Sequence, residues 1–182
     1  MLMKRMIKVV SRRVLFTLLL IVICFALQTS VLRLSFFGNV SPNLMLVLTV
    51  SLALMRGEIP GLLTGFFCGL CVDVFYGDMI GFYAMILMYI GFLCARFHKM
   101  FFPENMMMPL SMIFVTDLIY GLVCFVFLFA LRARWNLPHY LFRVMLPEAL
   151  YTLMVSVLLY PLVLRLNGWL EDLEQKGARK FV

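Results

Sequence analysis

The stretch "GEIPGLLTGFFCGLCVDVFYG", residues 57 to 77, carries the pattern on which the fold turns. Glycines stand at 57, 61, 65 and 69, an aspartate follows at 73, and another glycine closes the stretch at 77. Inside a helix glycine costs about 1 kcal/mol against alanine, so a row at four-residue spacing needs a packing reason. Residues four apart on a helix differ by about 40° in direction, so Gly57, Gly61, Gly65 and Gly69 are predicted to trace a shallow spiral ridge. Small residues on such a ridge admit a second helix at close range, often with a crossing near −40°. In lipid no hydrophobic effect drives helices together, so close packing must hold them. The expected neighbour is a helix of the same chain, with a homodimer through this face as the alternative.

Composition says that lipid is the relevant solvent. The chain has 182 residues, of which 64% are hydrophobic and 14% charged, and its mean hydropathy is +1.03. Soluble domains are nearer half apolar and a quarter charged. So large an excess cannot be hidden in one soluble core, because too little polar surface would remain to cover it. The formal net charge of +7 does not point to nucleic acid, since the Lys and Arg residues sit at the ends of apolar runs and in loops, where membrane topology uses them. Cys24, Cys68, Cys71, Cys94 and Cys124 all fall inside apolar runs. Cys68 and Cys71 have redox-like spacing but lie mid-membrane without a thioredoxin-like context. They read as small apolar residues, and neither disulfide, metal nor cofactor is expected.

A helix crossing about 30 Å of hydrocarbon needs roughly 20 apolar residues. Six apolar runs appear: Val14 to Leu32, Pro42 to Met55, Ile59 to Tyr76, Ile80 to Ala95, Pro109 to Leu131, and Val144 to Leu164. The second and fourth are short, and are expected to rely on local thinning or on burial among longer neighbours. The first has basic residues before it but no small-x-small cleavage site after it, and so reads as an uncleaved span. Three regions follow: a basic N-terminus over 1–13, a six-helix transmembrane domain over 14–164, and an amphipathic tail over 165–182. With six spans, twelve Lys and Arg residues fall on the side of the termini, and four, Arg33, Arg132, Arg134 and Arg143, on the other. The positive-inside rule then puts both termini in the cytoplasm.

Both ends carry amphipathic patterns. Met3, Met6, Ile7 and Val10 share one helical face, and Leu166, Trp169, Leu170 and Leu173 another. Each suits a helix in the headgroup region, with Trp169 as an anchor, or a docking surface for a cytoplasmic partner. No linker is large enough to fold independently, and no nucleotide loop, zinc spacing or nucleophile–base arrangement appears. His98 and His139 fall at opposite faces. The protein is therefore expected not to be an enzyme, and to act through helix faces and short loops.

Three acids lie at membrane depth: Asp73, Asp117 and Glu148. Such groups cost several kcal/mol unless paired, protonated or wetted. Asp73 and Glu148 are expected toward the outer side, within reach of Arg132, Arg134 or Arg143. Asp117 is expected nearer the cytoplasmic half, against hydroxyls or a helix end. Pro147 suits a first helical turn, where Glu148 would complement the helix dipole. The acids serve either as internal glue fixing helix register, or as an ion, ligand or partner site.

Residues 41 to 95 resemble the rod shape-determining protein MreD family. The resemblance rests on Pro42-Asn43-Leu44 opening the second span, the run Gly61, Gly65-Phe66, Gly69-Leu70 leading to Asp73, and Gly81 opening the fourth span. The last helix, "LPEALYTLMVSVLLYP" from Leu146 to Pro161, is similar too, with Thr152 where an asparagine is expected. The resemblance implies a fold like the six-helix substrate-binding subunits (S-components) of energy-coupling-factor transporters. It also implies a non-enzymatic place in the cell-elongation machinery, beside MreC, the actin-like MreB, a glycan polymerase and a class B penicillin-binding transpeptidase. The alternative is a vitamin-binding membrane subunit of similar shape, for which Trp135, Asn136, His139 and Tyr140 would supply a pocket.

Overall fold

The computed structural model describes residues 2–30, 41–77, 80–100, 106–127 and 140–179, with side chains described over 11–172 of these. Among the described residues the chain is all helical. Its six α-helices are α1 (Leu2–Ser30), α2 (Leu44–Arg56), α3 (Glu58–Tyr76), α4 (Phe82–Ala95), α5 (Met107–Phe125) and α6 (Leu146–Arg179). A 3₁₀ segment, Arg96–Met100, extends α4, and a π-helical segment, Leu141–Met145, leads into α6.

The architecture is built around α2, which packs against all five other helices. Every residue from Leu44 to Met55 is buried. A helix that is apolar all round suits either lipid or a protein interior, and α2 is the interior of this bundle. Among the described residues four helical stretches are long and apolar enough to cross a membrane: Ser11–Ser30, Glu58–Tyr76, Met107–Phe125 and Leu141–Asp172. With 13 and 14 residues, α2 and α4 rise only about 20 and 21 Å, short of a bilayer core of about 30 Å. The burial expected for a short second span is what the structure shows.

Chain direction follows from the polar contacts. Gln28 and Thr17 of α1 meet Met45 and Arg56 of α2, which makes these two helices antiparallel. Thr152 and Asn167 of α6 meet Asn43 and Arg56, which makes α6 parallel to α2. The start of α1 and the end of α6 therefore lie at one end of the bundle, here called the terminal end.

The helices run past several expected limits. The helix of the first run begins at Leu2, so the N-terminal segment continues the span instead of forming a separate element. Likewise α6 continues without a break to Arg179, and residues 165–179 are its extension rather than a helix of their own. The final helical run begins before Pro147. Proline has no amide to donate and clashes with the preceding turn, and the backbone accommodates it by widening, the Leu146 amide donating to Leu141, five residues back. Glu148 is in the first turn of α6 but lies about two turns inside a continuous helical run, not at a free N-terminus. Residues 31–40 and 128–139, with Arg33, Arg132, Arg134, Trp135, Asn136 and His139, lie outside the described residues, as do the side chains of Met3, Met6, Ile7, Val10 and Leu173.

The most extensive packing in the molecule joins α3 to α4. Glycines make it possible. A Cβ on Gly65 would strike the carbonyl oxygen of Leu87, one on Gly69 the backbone of Ala84, and one on Gly91 of α4 the carbonyl of Gly61. In the first turn of α3, a Cβ at Gly61 would lie 2.7 Å from Ala53 Cβ of α2. The ridge thus faces neighbours within the chain. Gly57 is not part of it: it is the single residue between α2 and α3, with φ +88° and ψ −163°, a conformation open essentially to glycine alone.

Substituting alanine at Gly65 should destabilise the protein by about 1–3 kcal/mol, the range for overpacking, because the obstacle is backbone that cannot rotate away. Gly168, with nothing within 4 Å of its Cβ direction, should gain up to about 1 kcal/mol from the same change. Thermal unfolding in detergent of the two variants should move in opposite directions.

Candidate functional site

Helix ends inside a low-dielectric bundle pose a definite demand. The first four amides of a helix lack intrahelical partners, and in the hydrocarbon each unsatisfied group costs several kcal/mol. Gly81, at the start of α4, has φ +101° and no side chain with which to cap. The cap comes from α3. Asp73, only 1% exposed, receives the Gly81 amide at 3.0 Å and the Ala84 amide at 2.9 Å on Oδ2, and the Tyr83 amide at 2.9 Å on Oδ1. Three amides on one carboxylate, at the positive end of the α4 dipole, compensate the charge without a cation. Of the partners expected for Asp73, Arg132 and Arg134 lie outside the described residues. Among the described residues Asp73 has no cationic partner, and Arg143 is exposed.

A second interior helix start lies at α2. Pro42 O accepts from Leu44 N at 3.1 Å, Gln28 Oε1 of α1 from Met45 N at 3.2 Å, and Asn43 Oδ1 from Leu46 N at 3.2 Å. Each of the first three amides of α2 is thereby satisfied. Asn43 is also tied outward: its amide N–H donates to Thr152 Oγ1 of α6 at 3.1 Å, and its Nδ2 to Asp117 Oδ1 of α5 at 3.4 Å. Asp117, 4% exposed, therefore meets a helix end and a hydroxyl-bearing neighbour, as expected for it. Sequence reading expected it in the half that holds the termini, and the structure places it elsewhere. It belongs with the start of α2, away from the terminal end, because short α2 begins deep in the bundle. Glu148 of α6 is close enough to Asp117 for the two acids to interact electrostatically.

A third polar cluster gathers at the terminal end. Arg56, last residue of α2, donates from Nε to Asn167 Oδ1 of α6 at 2.6 Å and from Nη1 to Thr17 Oγ1 of α1 at 2.8 Å. Asn167 in turn donates to Glu171 at 2.9 Å. The 3₁₀ segment joins the same end through His98, whose Nδ1 meets the Leu54 carbonyl. A carbonyl can only accept, so Nδ1 carries the proton. Sequence reading placed His98 at one face of the membrane and did not single out Arg56 or Asn167. These two carry no local motif, because the contacts of Arg56 join residues 39 and 111 apart.

Gly61, Gly65, Gly69, Asp73 and Gly81 are thus brought into one α3–α4 lock, Asp117 and Glu148 into a separate cluster with Asn43 and Thr152, and Gly57 into the α2–α3 junction beside the His98 ring. All five cysteines are free, and among the described residues no cluster of His, Cys, Asp and Glu fit for a metal occurs. These arrangements hold helices in register; none sets a nucleophile against a base.

The family model described as rod shape-determining protein MreD matches residues 8–167 of the chain. No curated protein and no solved structure matches the chain.

Replacing Asp73 with alanine leaves three buried amides uncapped and should cost more than about 2 kcal/mol. Asparagine, which keeps one acceptor oxygen, should recover part of that loss. Protease cleavage between α3 and α4 in detergent, fastest for the alanine variant, would record the order.

Proposed function

The chain belongs to the MreD family of rod shape-determining membrane proteins, and on that premise we propose that it is a non-enzymatic scaffold of the bacterial cell-elongation complex. In this reading it lies in the cytoplasmic membrane with both termini inside. There it couples MreC, MreB filaments, and the glycan polymerase and class B transpeptidase that build the wall. The observation that carries the reading is how the polar groups are used. Asp73, Asn43, Asp117, Thr152, Arg56 and Asn167 engage one another or backbone amides. What the molecule turns outward at membrane depth is hydrocarbon. Leu15, Val22 and Ile23 of α1 and Met154, Leu158 and Leu162 of α6 are all exposed. Such faces suit lateral contact with transmembrane helices of partners, where shape and packing decide association.

Pull-down from mild detergent, read by mass spectrometry, should recover MreC and the wall synthases; their absence would count against the proposal. In cells lacking the native gene, a chain carrying both Gly65→Leu and Gly69→Leu should fail to restore rods, and normal rods would argue strongly against the scaffold. Reporters fused to the two termini should both report the cytoplasm, the outcome required by the distribution of Lys and Arg.

A further inference from the structure

Between α4 and α5 runs a groove of about 390 Å³, open along one side. Its walls are Phe82, Met85, Tyr89 and Leu93 of α4, facing Ile119 and Val123 of α5. From Phe82 to Leu93 the α4 wall rises about 17 Å, close to half of a hydrocarbon core of about 30 Å, which is one leaflet. A helix about 10 Å wide would fill about 1,300 Å³ over that length, several times the volume of the groove. A helix therefore cannot enter it. Water has no polar partners there to hold it. One hydrocarbon chain, whose carbon contacts fall at about 4 Å, is slender enough to lie in it.

The two ends of the groove differ. Away from the terminal end, Phe82 and Phe127 meet edge to face with ring centroids 5.6 Å apart. At the terminal end, Leu93 is followed three residues later by the exposed basic segment Arg96–Met100. There Arg96 leans on the Phe92 ring at 5.2 Å and reaches Glu58 at 3.6 Å, and Lys99 is exposed. Apolar channel and cationic mouth are the two halves of a phospholipid site, since juxtamembrane Lys and Arg attract anionic headgroups.

We propose that the α4–α5 groove holds one acyl chain of an anionic phospholipid from the leaflet at the terminal end, with Lys99 and Arg96 at its headgroup. The proposal goes beyond the scaffold reading and needs only that the chain is embedded in a bilayer. It is tested on the full chain, reconstituted in equal parts phosphatidylglycerol and phosphatidylcholine, then extracted in mild detergent for native mass spectrometry. The wild type should retain one phosphatidylglycerol per chain. Met85→Trp and Ile119→Trp, each filling the groove from one wall, should lower retention about tenfold, whereas Val22→Trp on α1 should not. Lys99→Glu should abolish the preference for phosphatidylglycerol over phosphatidylcholine. A second measurement does not depend on loss: the indole of Tyr89→Trp should be quenched by phosphatidylglycerol brominated in its acyl chains more strongly than that of Val22→Trp. No retained lipid, equal loss with Val22→Trp, equal quenching at the two sites, or a partner's transmembrane helix cross-linking at Ile119 with lipid displaced would each overturn it.

Discussion

The contact between the backbones of α3 and α4 is the constraint from which the rest follows. Gly65 and Gly69 let the carbonyl and Cα atoms of α4 lie where side chains would otherwise stand, and Asp73, one turn further along the same face, clasps the start of α4 through three amides. Packing and capping are therefore parts of one device. The closeness that the glycines allow brings the carboxylate within reach, and the carboxylate fixes the register in which the glycines fit. In a solvent that offers helices no hydrophobic reason to associate, such mutual dependence gives a pair of apolar helices a single arrangement.

With α3 and α4 fixed, α2 has a wall to lie against, and its own ends must then be served from inside the bundle. The structure recruits a different helix for each need: α1 through Gln28, α5 through Asp117, α6 through Thr152 at one end, and Thr17, Asn167 and His98 at the other. The central helix is thus tied at both tips to the peripheral ones by hydrogen bonds across 17 to 111 residues of sequence. The burial of polar side chains here has a purpose that can be counted amide by amide.

Much of this was legible in the sequence, for physical reasons that differ from residue to residue. Four-residue glycine spacing has few uses other than close packing, so the partner of Gly61, Gly65 and Gly69 within the chain could be expected. Hydropathy gave the number of apolar helices, and the shortness of the second run anticipated its burial. The partner of Asp73 was missed because backbone amides leave no mark in composition: a search for cations overlooks a helix start that carries only Gly81. The depth of Asp117 was misjudged for a related reason. Counting along α5 places it near the middle, but its partner is set by where α2 begins, which depends on how short α2 is. The joining of the tail to α6 was missed because a change from apolar to amphipathic pattern need not break a helix.

The single-residue junction at Gly57 has a consequence for assembly. One residue in an extended, glycine-only conformation cannot act as a loop, so α2 and α3 are effectively two arms of one staple, touching at Ala53 and Gly61 from their first turns. The shorter arm has no lipid-compatible length of its own, and every side of it finally faces protein. Its surroundings are complete only once the helices that follow it in the chain, α4, α5 and α6 among them, are in place.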